Sequence, residues 1–137
     1  MPVSPYTYTG PVDHMVVPDR SVMRDKSVVI TGGANGMGEE FVRQFVAAGA
    51  FVTIGDVNLE RGKALEKELN NSQGKTACVF VKTDIRDWEE QKAMFQTAKT
   101  KSPHNSVDVV IANAGISRSS GDCLWNLDGK QPLYSYS

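Results

Sequence analysis

The sequence predicts an α/β fold whose parallel sheet, of about four strands, is wound on both faces. Three observations carry that prediction. Short continuous apolar runs alternate with segments of helical period along residues 26–116. Their spacing suits crossover connections between parallel strands. Each run also ends, at its carboxyl side, in a cluster rich in glycine, aspartate or asparagine.

The first run, Ser27-Val28-Val29-Ile30-Thr31, is continuously apolar at its centre and stops at glycines, as a strand covered on both faces does. A helix is expected from about Met37 to Ala48, with Phe41, Phe45 and Ala48 on its inward face and Gly49 ending it. Phe51 to Asp56 is the second strand. Asn58 is placed to cap a helix reaching about Leu69, with Leu65 and Leu69 one turn apart and facing inward. The third strand spans Thr76 to Lys82. Asp87 opens the next helix, with Glu90 at capping-box spacing and an expected inward stripe of Trp88, Gln91, Phe95 and Ala98. Ser102-Pro103 ends it, and Val107 to Ala112 is the fourth strand.

On either side of this unit the pattern fails. Residues 1–25 hold four of the six prolines and read as an extended or disordered arm, with Val16-Val17 as its one anchor. Residues 117–137 show no period and read as an irregular tail. The N-terminus lacks the basic start and apolar centre of a signal peptide, and no apolar stretch approaches membrane-span length.

Composition narrows the function classes. The 137 residues are 40% hydrophobic and 23% charged, with 15 basic against 16 acidic side chains. A net charge of −1 without a one-sign block gives no case for nucleic acid or for an acidic membrane surface. The two cysteines, Cys78 and Cys123, match no metal or redox spacing, and Cys78 lies in an apolar run where a buried, inert thiol is expected. His14 and His104 are isolated, so no metal site is expected. A cytoplasmic setting is the expectation that follows.

The chemistry concentrates after the first strand, in Thr31-Gly32-Gly33-Ala34-Asn35-Gly36-Met37-Gly38. A diphosphate placed there meets free backbone N–H groups and the positive end of a helix dipole, and glycine lets it approach. A tight strand-to-helix turn would also call for glycine, so the loop needs a companion. Asp56 is that companion, 24 residues after Gly32 at the tip of the second strand. A carboxylate there accepts both ribose hydroxyls of an adenosine and repels a 2′-phosphate, which favours NAD over NADP.

Taken with two later motifs, this pattern resembles the short-chain dehydrogenase/reductase family over Lys26 to about Ile116. Thr31-Gly32-x-x-x-Gly36-x-Gly38 matches that family's cofactor loop. Asp84-Ile85 matches its adenine-contacting pair, and Asn113-Ala114-Gly115 its turn that lines the cofactor cleft and braces the sheet. The resemblance implies a Rossmann-type domain over residues 26–116, with Gly32, Asn35, Gly36, Met37, Gly38, Asp56, Asp84, Ile85, Asn113, Ala114 and Gly115 binding NAD.

The family's catalytic Tyr-x-x-x-Lys pair has no counterpart in the sequence, and Ser117, Ser119 and Ser120 read as loop serines. Catalytic residues are therefore expected to be none, in a truncated form that holds cofactor without turning it over. A small-molecule substrate is expected only if a catalytic half is supplied. Two other readings stand beside an oxidoreductase: a non-catalytic NAD-binding module and an unstable fragment without function. Strand order 3-2-1-4 would leave the fourth strand as an open apolar edge, inviting self-association.

Overall fold

The computed structural model describes Gly10, Met15 and residues 17–116. The tail serines, Cys123, His14 and Val16 lie outside the described residues. Four parallel strands, β1 (Ser27–Thr31), β2 (Phe51–Asp56), β3 (Cys78–Lys82) and β4 (Val109–Ile111), form one sheet in the order β3-β2-β1-β4. Between them run α1 (Gly36–Ala47), α2 (Leu59–Gln73) and α3 (Trp88–Lys101). The expected fold class and strand order are both present.

Alternation along the strands divides the interior into two layers. Val28 and Ile30 of β1, Val52 and Ile54 of β2 and Phe80 of β3 pack with Val42 and Val46 of α1 and Leu65 and Leu69 of α2. The opposite face is thinner, with Val29 buried against Met94 and Ala98 of α3. On that same face Thr53 is fully buried, and its hydroxyl finds no hydrogen-bond partner.

Strands β1 and β2 match expectation to the residue, whereas β3 begins two residues later than expected and β4 has three residues in place of the expected Val107 to Ala112. Asn58 accepts the Arg61 N–H at 3.1 Å, and Gly49, at φ +87°, comes directly after Ala48, the residue that caps α1. Two helical faces, however, are rotated from expectation. In α1 the buried residues are Gly38, Val42 and Val46; Phe41 is exposed and Ala48 half-buried, while Phe45 packs on the core from a half-buried position, as expected. In α3 Ala98 is buried as expected, but its core companion is Met94, whereas Trp88 is 66% and Phe95 37% exposed. In both helices smaller side chains take the inward positions, because they allow a closer approach to the sheet than the large aromatics do.

The α3 capping box is also redirected. Asp87 accepts from the N–H groups of Glu89 and Glu90 at 2.8 and 3.2 Å, but Glu90 accepts from the Asp84 N–H at 2.6 Å. Helix α2 runs a turn beyond Leu69 to Gln73, before Gly74 in a left-handed conformation. Its charged face is not wholly solvated, because Glu66 accepts the Phe80 N–H at 3.0 Å. Ahead of the sheet, Arg20–Met23 forms a short 3-10 turn whose Met23 packs on the core, while Val17 is 85% exposed and anchors nothing.

The two sheet edges differ. Along the outer edge of β3, Asn70 accepts the Ala77 and Cys78 N–H groups at 2.7 and 2.9 Å and donates to the Cys78 carbonyl at 3.0 Å. Together with Glu66, it occupies the outward groups at the start of the strand, the Cys78 N–H and carbonyl and the Phe80 N–H. Among the described residues no side chain does this for the outer edge of β4, where Val110 is 52% exposed.

Thr53→Val keeps the shape of the side chain and removes the unpartnered hydroxyl. It is expected to raise stability by about 1 kcal/mol, read as a higher urea midpoint at unchanged m-value. A lower midpoint would show that the hydroxyl is satisfied in solution.

Candidate functional site

All four strands point their carboxyl ends to one side, and β1 lies at the centre of the order. The chain leaves β1 toward β2 and reaches β4 on the other flank, so a crevice opens above β1. A cleft of about 390 Å³ occupies this position. Gly32 forms its floor beside β1; Asp56 and Val57 line it from β2. Thr83, Asp84, Ile85 and Arg86 line it from β3, and Asn113 to Ile116 from β4.

The loop after β1 is held by groups from its neighbours. Asn113 donates through Nδ2 to the carbonyls of Thr31 and Gly32, at 3.1 and 3.2 Å. The Ala114 N–H donates to the Thr31 hydroxyl oxygen at 3.1 Å. Asn113 and Ala114 thus tie the segment after β4 to the end of β1. On the other flank, the Gly33 N–H donates to the Gly55 carbonyl at 3.3 Å, and the Ala34 N–H to Asp56 Oδ2 at 3.0 Å.

Two glycines make the close packing possible. Gly32 has φ +65°, and a Cβ on it would lie 2.9 Å from the Ala114 Cα. A Cβ on Gly38 would run into the Gly32 carbonyl oxygen and lie 2.5 Å from Asn113 Nδ2. Their side-chain hydrogens are the space in which loop, helix and β4 turn meet.

The sequence-predicted residues therefore divide into two groups. Gly32, Asp56, Asp84, Ile85, Asn113, Ala114 and Gly115 line the cleft. Asn35, Gly36, Met37 and Gly38 stand at the loop's far end, on and just before the first turn of α1. Asn35 is the helix cap, its side chain accepting the Gly36 N–H at 2.9 Å. The N–H groups of Met37 and Gly38, in that first turn, have no acceptor within the helix. Gly36, at φ +55°, has open space where a Cβ would stand.

Asp56 does more structural work than the sequence suggested. Beside Ala34, its Oδ1 accepts the Asn58 N–H at 2.9 Å, so one carboxylate ties the loop to the entrance of α2. Each oxygen keeps further acceptor capacity for a hydroxyl. Asp84 is gripped by Arg86, whose Nη2 donates to Oδ2 at 2.6 Å and whose Nε lies 3.0 and 3.1 Å from the two oxygens. The Arg86 guanidinium, then its backbone N–H, hold the Asp84 carboxyl down to about 2.

Sequence reasoning missed Val57, Thr83, Arg86 and Ile116 among the lining residues. Each is adjacent in sequence to a cleft residue that was found, and that adjacency was the available signal. Cys78 is buried as expected, and desolvation pushes its thiol up to about 12. Among the described residues, no group of three metal-ligating side chains occurs.

Comparison with known proteins gives a consistent result. A model of the short chain dehydrogenase family matches residues 26–127. The uncharacterized oxidoreductase YuxG of Bacillus subtilis is 32% identical over 105 residues, covering 77% of this chain and 15% of that protein. The (+)-cis,cis-nepetalactol synthase NEPS3 of Nepeta racemosa is 35% identical, covering 77% and 37% respectively. A crystal structure of a short chain dehydrogenase from Bacillus anthracis superposes with TM-score 0.60 at 29% identity, covering 67% of this chain and 35% of that one. L-Sorbose reductase from Gluconobacter frateurii, in complex with NADPH and L-sorbose, gives 0.62 at 22% identity, covering 69% and 35%. The chain thus spans about a third or less of the length of these relatives.

The Asp84–Arg86 pair is testable by NMR titration of side-chain carboxyls. The folded value is depressed, so its contribution is complete above the ordinary carboxylate range and is lost as pH falls through about 2. Arg86→Ala is expected to return the Asp84 midpoint toward the ordinary range. An unmoved midpoint would show that the guanidinium does not hold the carboxylate.

Proposed function

Since this chain belongs to the short-chain dehydrogenase family, we propose that residues 26–116 form the NAD-binding part of an oxidoreductase. Its reaction is hydride transfer between a nicotinamide cofactor and an alcohol or ketone. The observation that supports this best is the cleft itself, at the sheet's switch point with Gly32, Asp56, Asp84 and Asn113 on its walls.

The residues present fit a dinucleotide. The N–H groups of Met37 and Gly38 at the start of α1 would take the diphosphate. Asp56 would hold the adenosine ribose through its free acceptor capacity, while Asp84 and Ile85 would meet the adenine. Asn113, Ala114 and Gly115 would bound the cofactor on the β4 side. NAD is favoured over NADP because Asp56 is held in place by the Ala34 and Asn58 N–H groups and cannot readily turn away from a 2′-phosphate. When bound, the nicotinamide supplies or accepts hydride; these residues bind and orient it.

The 137 residues include no Tyr followed four positions later by Lys. Within this sequence the role we assign is therefore cofactor binding, and substrate chemistry belongs to a catalytic half. A non-catalytic NAD-binding module is the alternative, favoured by the bare edge of β4, through which we propose that copies of the chain associate. We place the protein in the cytoplasm, a reducing setting that suits the buried Cys78 thiol. No helix of the described residues is long and apolar enough to cross a membrane.

Titration with NAD, followed by tryptophan fluorescence, is expected to saturate below millimolar concentration. Gly36→Asp should abolish binding by putting a carboxylate against the diphosphate. Asp56→Ala should weaken NAD by about tenfold and narrow its advantage over NADP. No saturable binding to the parent chain, or parent-like binding by both variants, would overturn the cofactor assignment.

A further inference from the structure

Arg86 is the only cation among the described residues that line the cleft, and no cofactor motif includes it. Its side chain is 72% exposed, yet it is held in one geometry. Nε and Nη2 both face the Asp84 carboxylate, and the Arg86 backbone N–H donates to the same group at 2.9 Å. Asp84 is fixed in turn. Its N–H donates to Glu90 at 2.6 Å, and its carbonyl accepts the Asp87 N–H at 3.0 Å, tying both residues to the start of α3.

One edge of this guanidinium, Nε–Nη2, is occupied by the Asp84 carboxylate. The Nη1 side keeps its donors, and the flat face of the ion is open as well, with its plane fixed by the paired edge. Such a face stacks on aromatic rings, and it does so best when its plane is fixed beforehand. Across the cleft, the β2 lip carries Val57, 59% exposed and apolar. The two lips are adjacent because Asp56 pairs with Lys82 and the Thr83 N–H donates to the Asp56 carbonyl at 2.9 Å.

We propose that Arg86 is the stacking platform for the nucleobase, with the adenine ring lying between its guanidinium face and Val57. This rests on the NAD reading above and adds to it a residue that the cofactor motifs do not name. Asp84 then acts on the base twice, directly and by holding Arg86 flat. The assignment is specific to a planar ring: a base-free ligand gains nothing from it, and a lysine in its place supplies charge without a plane.

The test compares the full chain with Arg86→Ala and Arg86→Lys, using calorimetric titration with NAD, AMP and nicotinamide mononucleotide. Both variants are expected to bind NAD and AMP about fivefold more weakly, with nicotinamide mononucleotide unaffected. Thermal transitions matching the parent's would confirm that this exposed position leaves the fold intact. Parent-like AMP binding by Arg86→Ala overturns the proposal, and so does full retention by Arg86→Lys, which would mean a point charge acting on phosphate. If the parent binds NAD and these variants bind it equally, only the Arg86 role falls. If the parent binds neither NAD nor AMP, the cofactor reading falls with it.

Discussion

The site depends on the Asn113 carboxamide. It is the group that donates to both carbonyls at the end of β1, where the chain turns into the glycine loop. Both carbonyls lie past the last β1–β4 pair, Ile30 with Ile111, and would otherwise lack a partner on that side. With Asn113 in place, the turn out of β1 is bonded to the segment that follows β4. Gly38 has to lack a side chain for the same reason, since a Cβ there would stand on the Asn113 amide.

Around that brace, electrostatics is arranged to hold position. Arg43, raised first by Glu68 and then by Glu39, ties α1 to α2 through Glu68 at 2.6 Å and holds Glu39 of its own helix at 2.8 Å. Arg61 reaches the same Glu39 at 3.4 Å. These pairs are solvent-facing and contribute little to global stability. Their effect is local, as they join α1 to α2, the helices on either side of β2 and Asp56 in the chain. The carboxylate facing the cleft is therefore held by backbone N–H groups and flanked by helices whose own charges are already matched.

Much of this was legible in the sequence because its causes are local. A continuous apolar run ending in glycine gave β1 to the residue, and a single Asn58 gave the start of α2. The cleft residues were legible because strand ends in a parallel sheet converge whatever the helices do. The rotated faces of α1 and α3 were not legible. Which side of a helix meets a sheet is decided by the closest approach, and Val42 and Met94 permit one that Phe41 and Trp88 do not. Arg86 was missed because its role arises from a pairing with Asp84, and charge at a loop position reads as solvated until its partner is seen.

The outer edge of β3 has a consequence for how register is kept there. Asn70 answers the Ala77 and Cys78 N–H groups and the Cys78 carbonyl, and Glu66 answers the Phe80 N–H. Both side chains belong to α2, whose Leu65 and Leu69 are packed in the core, so the first half of this strand is capped by the helix that precedes it in the chain. An incoming strand would have to displace two side chains fixed one turn apart on a packed helix, and the alignment of that edge is thereby written within a single polypeptide.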